Sequence, residues 1–244
     1  MTCPICNDSN MVIVQEDGKQ FARECSCMPE KRLAAQLRKA GLPERYRTIT
    51  LADYKLPKGS APSLVAAALK ARRYVEEYLP GQYNRGLLLV GSVGVGKTHL
   101  AVSILRELMT TKGVAGAFYD FRELLTKVKA TYNAGSSLGE LAVLGPVFKA
   151  ELLVLDELGA MKLTDWVFDT IEHIINARYN DGKTTIITTN YPMTEPEPAA
   201  NEYARAAQVE TLRERIGARM HSRLQEMCDV VEMNGPDYRA RRKA

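Results

Sequence analysis

From Ser63 onward, unbroken apolar runs alternate with segments of helical periodicity. "LVAAALKARRYVEEYL" is followed by "GLLLV", "HLAVSILRELMTTKG", "GAFYDF", "RELLTKVKATYNAG", "ELLVLDE", "WVFDTIEHIINARYNDG" and "TTIITTN". A short run with no polar interruption is a strand covered on both faces. With helices between such strands, the pattern predicts βαβ units and a mainly parallel sheet. Ser63 stands where the first helix needs an N-cap. The proline-rich "YPMTEPEPAAN" is an exposed loop; after it, "EYARAAQVETLRERIGARMHSRLQEMC" is helical, "DVVEMN" a last strand and "DYRARRKA" a basic tail. Residues 122–150 are long for a single crossover between strands.

The first 62 residues have another character. "MVIVQ" and "QFARE" flank "EDGK" and predict two short strands around an Asp17-Gly18 turn. A basic helix follows, with Pro29 in its first turn, Gly41 at its C-terminal end and Lys31, Arg32, Arg38 and Lys39 on its exposed sides. The turn-rich "GLPERYRTITLADYKLPKGSAPS" is a connector. The expected domains are therefore a hairpin and helix over 1–40, a linker over 41–62 and an α/β domain over 63–244.

The chain of 244 residues is 45% apolar, enough for a sizeable core, and its net charge of +4 permits an acidic partner without requiring one. Its first residues lack the pattern of a secretory signal and no run of 18 apolar residues is present, so a cytoplasmic location with no membrane partner is expected.

Gly91, Gly94, Gly96, Lys97 and Thr98 satisfy G-x-x-x-x-G-K-[ST] between a strand and a helix. Glycines let backbone N–H groups turn inward around a polyphosphate, and the helix N-terminus adds favourable partial charge. The candidate nucleotide-binding set is thus Gly91, Ser92, Val93, Gly94, Val95, Gly96, Lys97 and Thr98, with His99 after them. Lys97 would neutralise the β and γ phosphates and Thr98 would ligate Mg²⁺. "LLVLDELG" ends an apolar strand in two acids: Asp156 for the Mg²⁺ shell and Glu157 to polarise an attacking water. Asn190, at the tip of "TTIITTN", is placed to orient that water.

Four of the five cysteines, Cys3, Cys6, Cys25 and Cys27, read C-x₂-C and C-x-C across the hairpin, a donor set for tetrahedral Zn²⁺. So few apolar residues cannot hold about 27 residues folded, whereas zinc supplies roughly 10 to 16 kcal/mol. Free thiols or a redox pair are the alternative. Cys228 reads as a core residue.

Loop, acidic pair, polar strand tip and downstream arginines, in this order, resemble the AAA+ ATPases. More narrowly, "LLLVGSVGVGKTHLA", "LLVLDELG", "INARYNDGKTTIITTN" and "RIGARMHSRLQEMCDVVEMNGPDYR" resemble the DnaC/DnaI helicase loaders and the IstB transposition helper ATPases over about residues 40 to 240. The resemblance implies ATP as the nucleotide and self-association through ATP-bridged interfaces. It implies that Arg223 is an arginine finger serving a neighbouring subunit, with Arg219 one turn earlier, and that Arg239 takes a sensor-2-like position. It further implies that the long crossover lines a channel for single-stranded DNA, with Lys129, Tyr132, Thr164 and Trp166 at the matching positions. Loader relatives grip a hexameric replicative helicase through amino-terminal modules, which gives the cysteine hairpin a partner. Direct nucleic-acid binding, through the helix cations with Arg45 and Arg47, is the alternative for that module. For the whole chain the alternatives are a helper ATPase partnering a transposase, or a zinc-bearing adaptor that holds ATP without turnover. Tyr46 and Tyr54 are read equally as an adenine cover or as packing between domains.

Overall fold

The computed structural model describes residues 3–133, 137–161, 164–194 and 210–239. Asp17 and Gly18 both adopt positive φ, 50° and 74°, the geometry of a tight hairpin turn. Strands β1 (Met11–Glu16) and β2 (Lys19–Glu24) accordingly pair antiparallel, with Glu16 opposite Lys19 and Met11 opposite Glu24. Helix α1 (Met28–Lys39) has the proline in its first turn, and the chain leaves it through Gly41 at φ 80°.

Beyond this point the helix is more than a basic surface. Leu37, Ala40 and Leu42 are buried in the main core. The N–H of Phe118 donates to the Ala40 carbonyl at 2.7 Å, so the chain after α1 adds a rung to the open edge of strand β4 (Gly116–Asp120). A Cβ at position 41 would stand 2.6 Å from the Phe118 carbonyl oxygen, which leaves room for glycine alone. The connector then makes two 3₁₀ turns, Glu44–Tyr46 and Leu51–Asp53. Arg106 and Ser103, on helix α3 (Lys97–Thr111), donate to the carbonyls of Arg47 and Thr50 and hold it down.

Helix α2 spans Pro62–Glu77 with Ala61 as its N-cap. Proline is preorganised for the first helical position, and the helix therefore begins one residue before the expected cap, Ser63. The Ser63 hydroxyl bonds the backbone of Asn234 instead. Strands β3 (Gly86–Gly91), β4, β5 (Leu152–Asp156), β6 (Thr184–Thr189) and β7 (Cys228–Met233) form a parallel sheet in the order β4-β5-β6-β3-β7. Side chains alternate between its faces. Leu87, Leu89, Val154 and Ile186 meet α2, α3 and the connector. Leu88, Val90, Leu153, Leu155 and Ile187 meet the layer of α4 (Phe121–Asn133), α5 (Ser137–Lys149), α6 (Asp165–Asn180), α7 (Leu212–Ile216) and α8 (Ala218–Met227). The long crossover is thus two helices, α4 and α5. Cys228 is a buried core residue, and burial pushes its thiol up to about 12.

Arg178 on α6 is fully buried. Its guanidinium donates to the carbonyls of Val147 and Ala150 at 2.7 and 3.0 Å, to Thr184 O at 2.5 Å and to Thr185 Oγ1 at 2.9 Å, joining α5, α6 and β6. Burial lowers its pKa to about 10. Among the described residues, no helix is long and apolar enough to cross a membrane.

Candidate functional site

The loop between β3 and α3 sits where five buried strand residues give way to a helix N-terminus. Gly94 has φ 79°, a left-handed conformation that favours glycine, and a Cβ there would have to displace the Asp237 carboxylate, 1.9 Å away. Lys97 is the first residue of α3. Its ammonium folds back to donate to the carbonyls of Gly91 and Ser92 at 2.8 and 2.7 Å. Burial lowers its pKa to about 8, partly offset by the charges of Asp156 and Glu157.

Thr98 follows on the first turn and donates its hydroxyl to both carboxylate oxygens of Asp156, at 2.9 and 3.1 Å. Asp156 ends β5, where the sheet and α3 bury it; that burial raises its pKa, while hydroxyl bonds from Thr188 and Thr98 act against the rise. A hydroxyl and a carboxylate in contact are the hard oxygen donors that magnesium takes. Glu157 adopts φ 59°, a left-handed conformation uncommon outside glycine. The tip of β6 holds this turn: the Leu158 N–H donates to the Thr188 carbonyl, and the Thr189 hydroxyl donates to the Leu158 carbonyl, both at 2.9 Å. Asn190 is the first residue beyond β6 and is half-buried.

The segment after β7 returns to the loop. The N–H of Tyr238 donates to the Gly94 carbonyl at 3.1 Å, and the Ser92 hydroxyl donates to the Gly235 carbonyl at 3.2 Å. Arg239 comes near enough for its charge to contribute to the lowering of the Lys97 pKa. Lys97, Thr98, Asp156 and Glu157 therefore converge, and Arg239 stands exposed on the segment that returns to the loop. Arg219 and Arg223 are engaged elsewhere: Arg219 pairs with Glu172 of α6 at 3.5 Å, and Arg223 bonds Asn176, approaches Glu172 at 3.9 Å and lies over the Tyr179 ring.

Tyr54 lies against the loop, its hydroxyl on the Val95 carbonyl at 3.4 Å and its ring edge-on to His99, and burial pushes it up to about 12. Tyr46 instead lines a cavity of about 490 Å³ with Lys39, Arg45, Tyr119, Asp120 and Asp156. Of the positions matched to DNA contact, Lys129 is exposed on α4. Thr164 caps α6 by accepting the Val167 N–H at 3.3 Å, and Trp166 packs partly buried on the helical layer. Tyr132 falls on the last turn of α4, and its side chain is outside the described residues.

In the N-terminal hairpin the sulfurs of Cys3, Cys6, Cys25 and Cys27 all lie within 4.8 Å of one another. The Cys3–Cys25 and Cys6–Cys27 separations are 3.8 and 3.7 Å. A tetrahedron with Zn–S bonds of about 2.3 Å has edges of about 3.8 Å, so the donor set fits zinc. Backbone N–H groups of Cys6 and Ile5 directed at the Cys3 sulfur lower that thiol to about 6, whereas burial and the neighbouring thiols push Cys27 up to about 12, so the donor atoms' geometry and not their acidity carries the fit.

Two residues central to this geometry were not singled out from the sequence: Thr188 and Arg178. The signal was present in "TTIITTN", because a threonine inside a strand buried on both faces must find a hydrogen-bond partner there.

Residues 7–244 match the family described as IstB-like ATP binding protein. The uncharacterized protein YqaM of Bacillus subtilis (strain 168) is 22% identical over 218 residues, covering 86% of this chain and 64% of that protein. The replicative helicase loader DnaC of Escherichia coli (strain K12) is 32% identical over 130 residues, covering 53% of this chain and 51% of its own. The crystal structure of the DnaC helicase loader aligns with a TM-score of 0.64 at 35% identity, covering 78% of this chain and 99% of that one. This chain therefore spans less than two thirds of the length of either curated relative. The fold shared with the solved structure is the AAA+ one, a five-stranded parallel sheet flanked by helices.

Proposed function

The chain belongs to the family of IstB-like ATP binding proteins, and from that premise we propose that it is an ATP-hydrolysing helicase loader that acts on single-stranded DNA and a replicative helicase. The observation that supports the ATPase part of this reading is the hydrogen-bonded set of Thr98, Asp156 and Thr188 beside Lys97 and Glu157, and the loader part rests on the likeness to DnaC. A triphosphate seated on the loop amides would draw the Lys97 ammonium from the Gly91 and Ser92 carbonyls to its own oxygens. Thr98 and Asp156 would hold Mg²⁺, which supplies charge neutralisation at the β and γ phosphates when bound. Glu157 and Asn190 would orient the attacking water, and Arg239 would contact the phosphates in the same subunit.

Arg219 and Arg223 are held on α6 by Glu172 and Asn176, which suits presentation to a neighbouring subunit. An arginine supplied in trans makes turnover depend on assembly, with such residues contributing about 10³ to 10⁵ in rate. The exposed Lys129 and the α4–α5 crossover would meet single-stranded DNA, and the zinc hairpin would dock on the helicase. Phosphate release by purified protein, with and without single-stranded DNA, tests the enzyme. Co-purification with the host replicative helicase, set against a transposase, tests the partner. Absence of turnover under every condition would leave an ATP-binding adaptor, and capture of the transposase alone would make the chain a transposition helper.

A further inference from the structure

Thr188 lies in β6 with its side chain fully buried. Its hydroxyl donates to Asp156 Oδ1 at 2.6 Å and accepts the backbone N–H of Glu157 at 2.9 Å. A hydroxyl has one proton and two lone pairs, so one threonine makes both bonds at once. In an extended strand, consecutive side chains leave on opposite faces. The left-handed Glu157 breaks that alternation, and the bond to Thr188 holds the backbone at the break. Among the described residues, the hydrogen bonds from β6 side chains to the acidic pair come from Thr188 rather than from Asn190, the residue expected at the strand tip.

We infer that Thr188 is a positioning residue for ATP hydrolysis, fixing the Asp156 carboxylate as a metal ligand and the Glu157 backbone as the mount of the hydrolytic acid. The inference rests on the ATPase reading of Asp156 and Glu157. Thr188 acts through those two residues. Valine keeps the shape of threonine and removes both bonds, whereas serine keeps the hydroxyl.

The test compares the parent with Thr188→Val and Thr188→Ser for kcat, KM for ATP, the Mg²⁺ concentration giving half-maximal turnover, and Mg²⁺-free affinity for a fluorescent ATP analogue. Thr188→Val should lower kcat by about 10- to 100-fold, the range for a hydrogen bond to a charged group. It should also raise the half-saturating Mg²⁺ and leave Mg²⁺-free affinity within about twofold, because the phosphate loop is untouched. Thr188→Ser should restore most of the rate and the parental Mg²⁺ response. A purely packing role predicts the opposite pattern, with a lowered Tm and an unchanged Mg²⁺ response. Parental kinetics in Thr188→Val, or Thr188→Ser as impaired as valine, would overturn the inference. If the valine variant does not fold, Thr188→Cys replaces it with the same expected direction, since a thiol is a weak donor and acceptor. Lys97→Ala is measured alongside. A parent that neither turns over ATP nor loses nucleotide affinity in Lys97→Ala removes the ATPase reading itself, whereas an active parent with a silent Thr188→Val removes only this inference.

Discussion

Nucleotide binding should take up protons at alkaline pH, because Lys97 is held in a site that disfavours its charge. Burial lowers the nucleotide-free lysine to about 8. The anionic oxygens of a bound triphosphate favour the ammonium and should return it toward the ordinary lysine value of about 10.4. At pH 8 the lysine is half-protonated before binding and almost fully protonated after it, which gives an uptake of about 0.5 proton per site. The same arithmetic gives about 0.1 proton at pH 7 and about 0.9 at pH 9, and it makes the affinity fall about fivefold between pH 8 and pH 9. A phosphate group loses its last proton at about pH 6, so the nucleotide itself contributes little at 8 and 9. Titration calorimetry at the three pH values, each in two buffers of different ionisation enthalpy, reads the uptake directly. Lys97→Met should abolish it and leave weak binding. An uptake that stays flat from pH 7 to 9, or an affinity that does not fall, would refute the reasoning. The same shift bears on stability: between about pH 8 and 10.5 the nucleotide-free fold binds fewer protons than the unfolded chain, so through that window this lysine makes the fold more stable as the pH rises.

Arg178→Met should lower stability by about 3 kcal/mol, or about 6 to 12 °C in Tm for a chain of this size, because it strips hydrogen bonds from three buried carbonyls; thermal denaturation would contradict this by showing a shift below 2 °C. Metal analysis should find one zinc per chain, and chelation should open the hairpin to proteolysis while nucleotide binding survives; an intact hairpin after chelation would exclude a structural metal. Arg223→Ala should keep ATP affinity within about twofold and lower turnover by about 10³ or more, as measured by phosphate release at concentrations where the parent self-associates.

How far each feature could be read from the sequence follows from the range of the interactions that specify it. The hairpin turn, the four-cysteine spacing, the phosphate loop and the acidic pair are all local. Each is written in a few adjacent residues whose conformational preferences or donor spacing hold in any context, and the parallel sheet follows from the alternation of apolar runs and helical periods. The cap of α2 lies two residues before Ser63, at Ala61, because Pro62 and Ser63 compete at a helix N-terminus, and the serine instead meets Asn234 across the fold. What only the tertiary structure decided is which distant groups meet. Ala40 seals the edge of β4 at Phe118, Arg178 meets carbonyls on another helix, and Tyr238 returns to Gly94. Thr188 closes on an acid 32 residues earlier in the chain. Packing chooses these pairs, since a polar group sealed inside must take whatever partner the assembled layers bring within about 3 Å. That choice does not exist until the layers are in place.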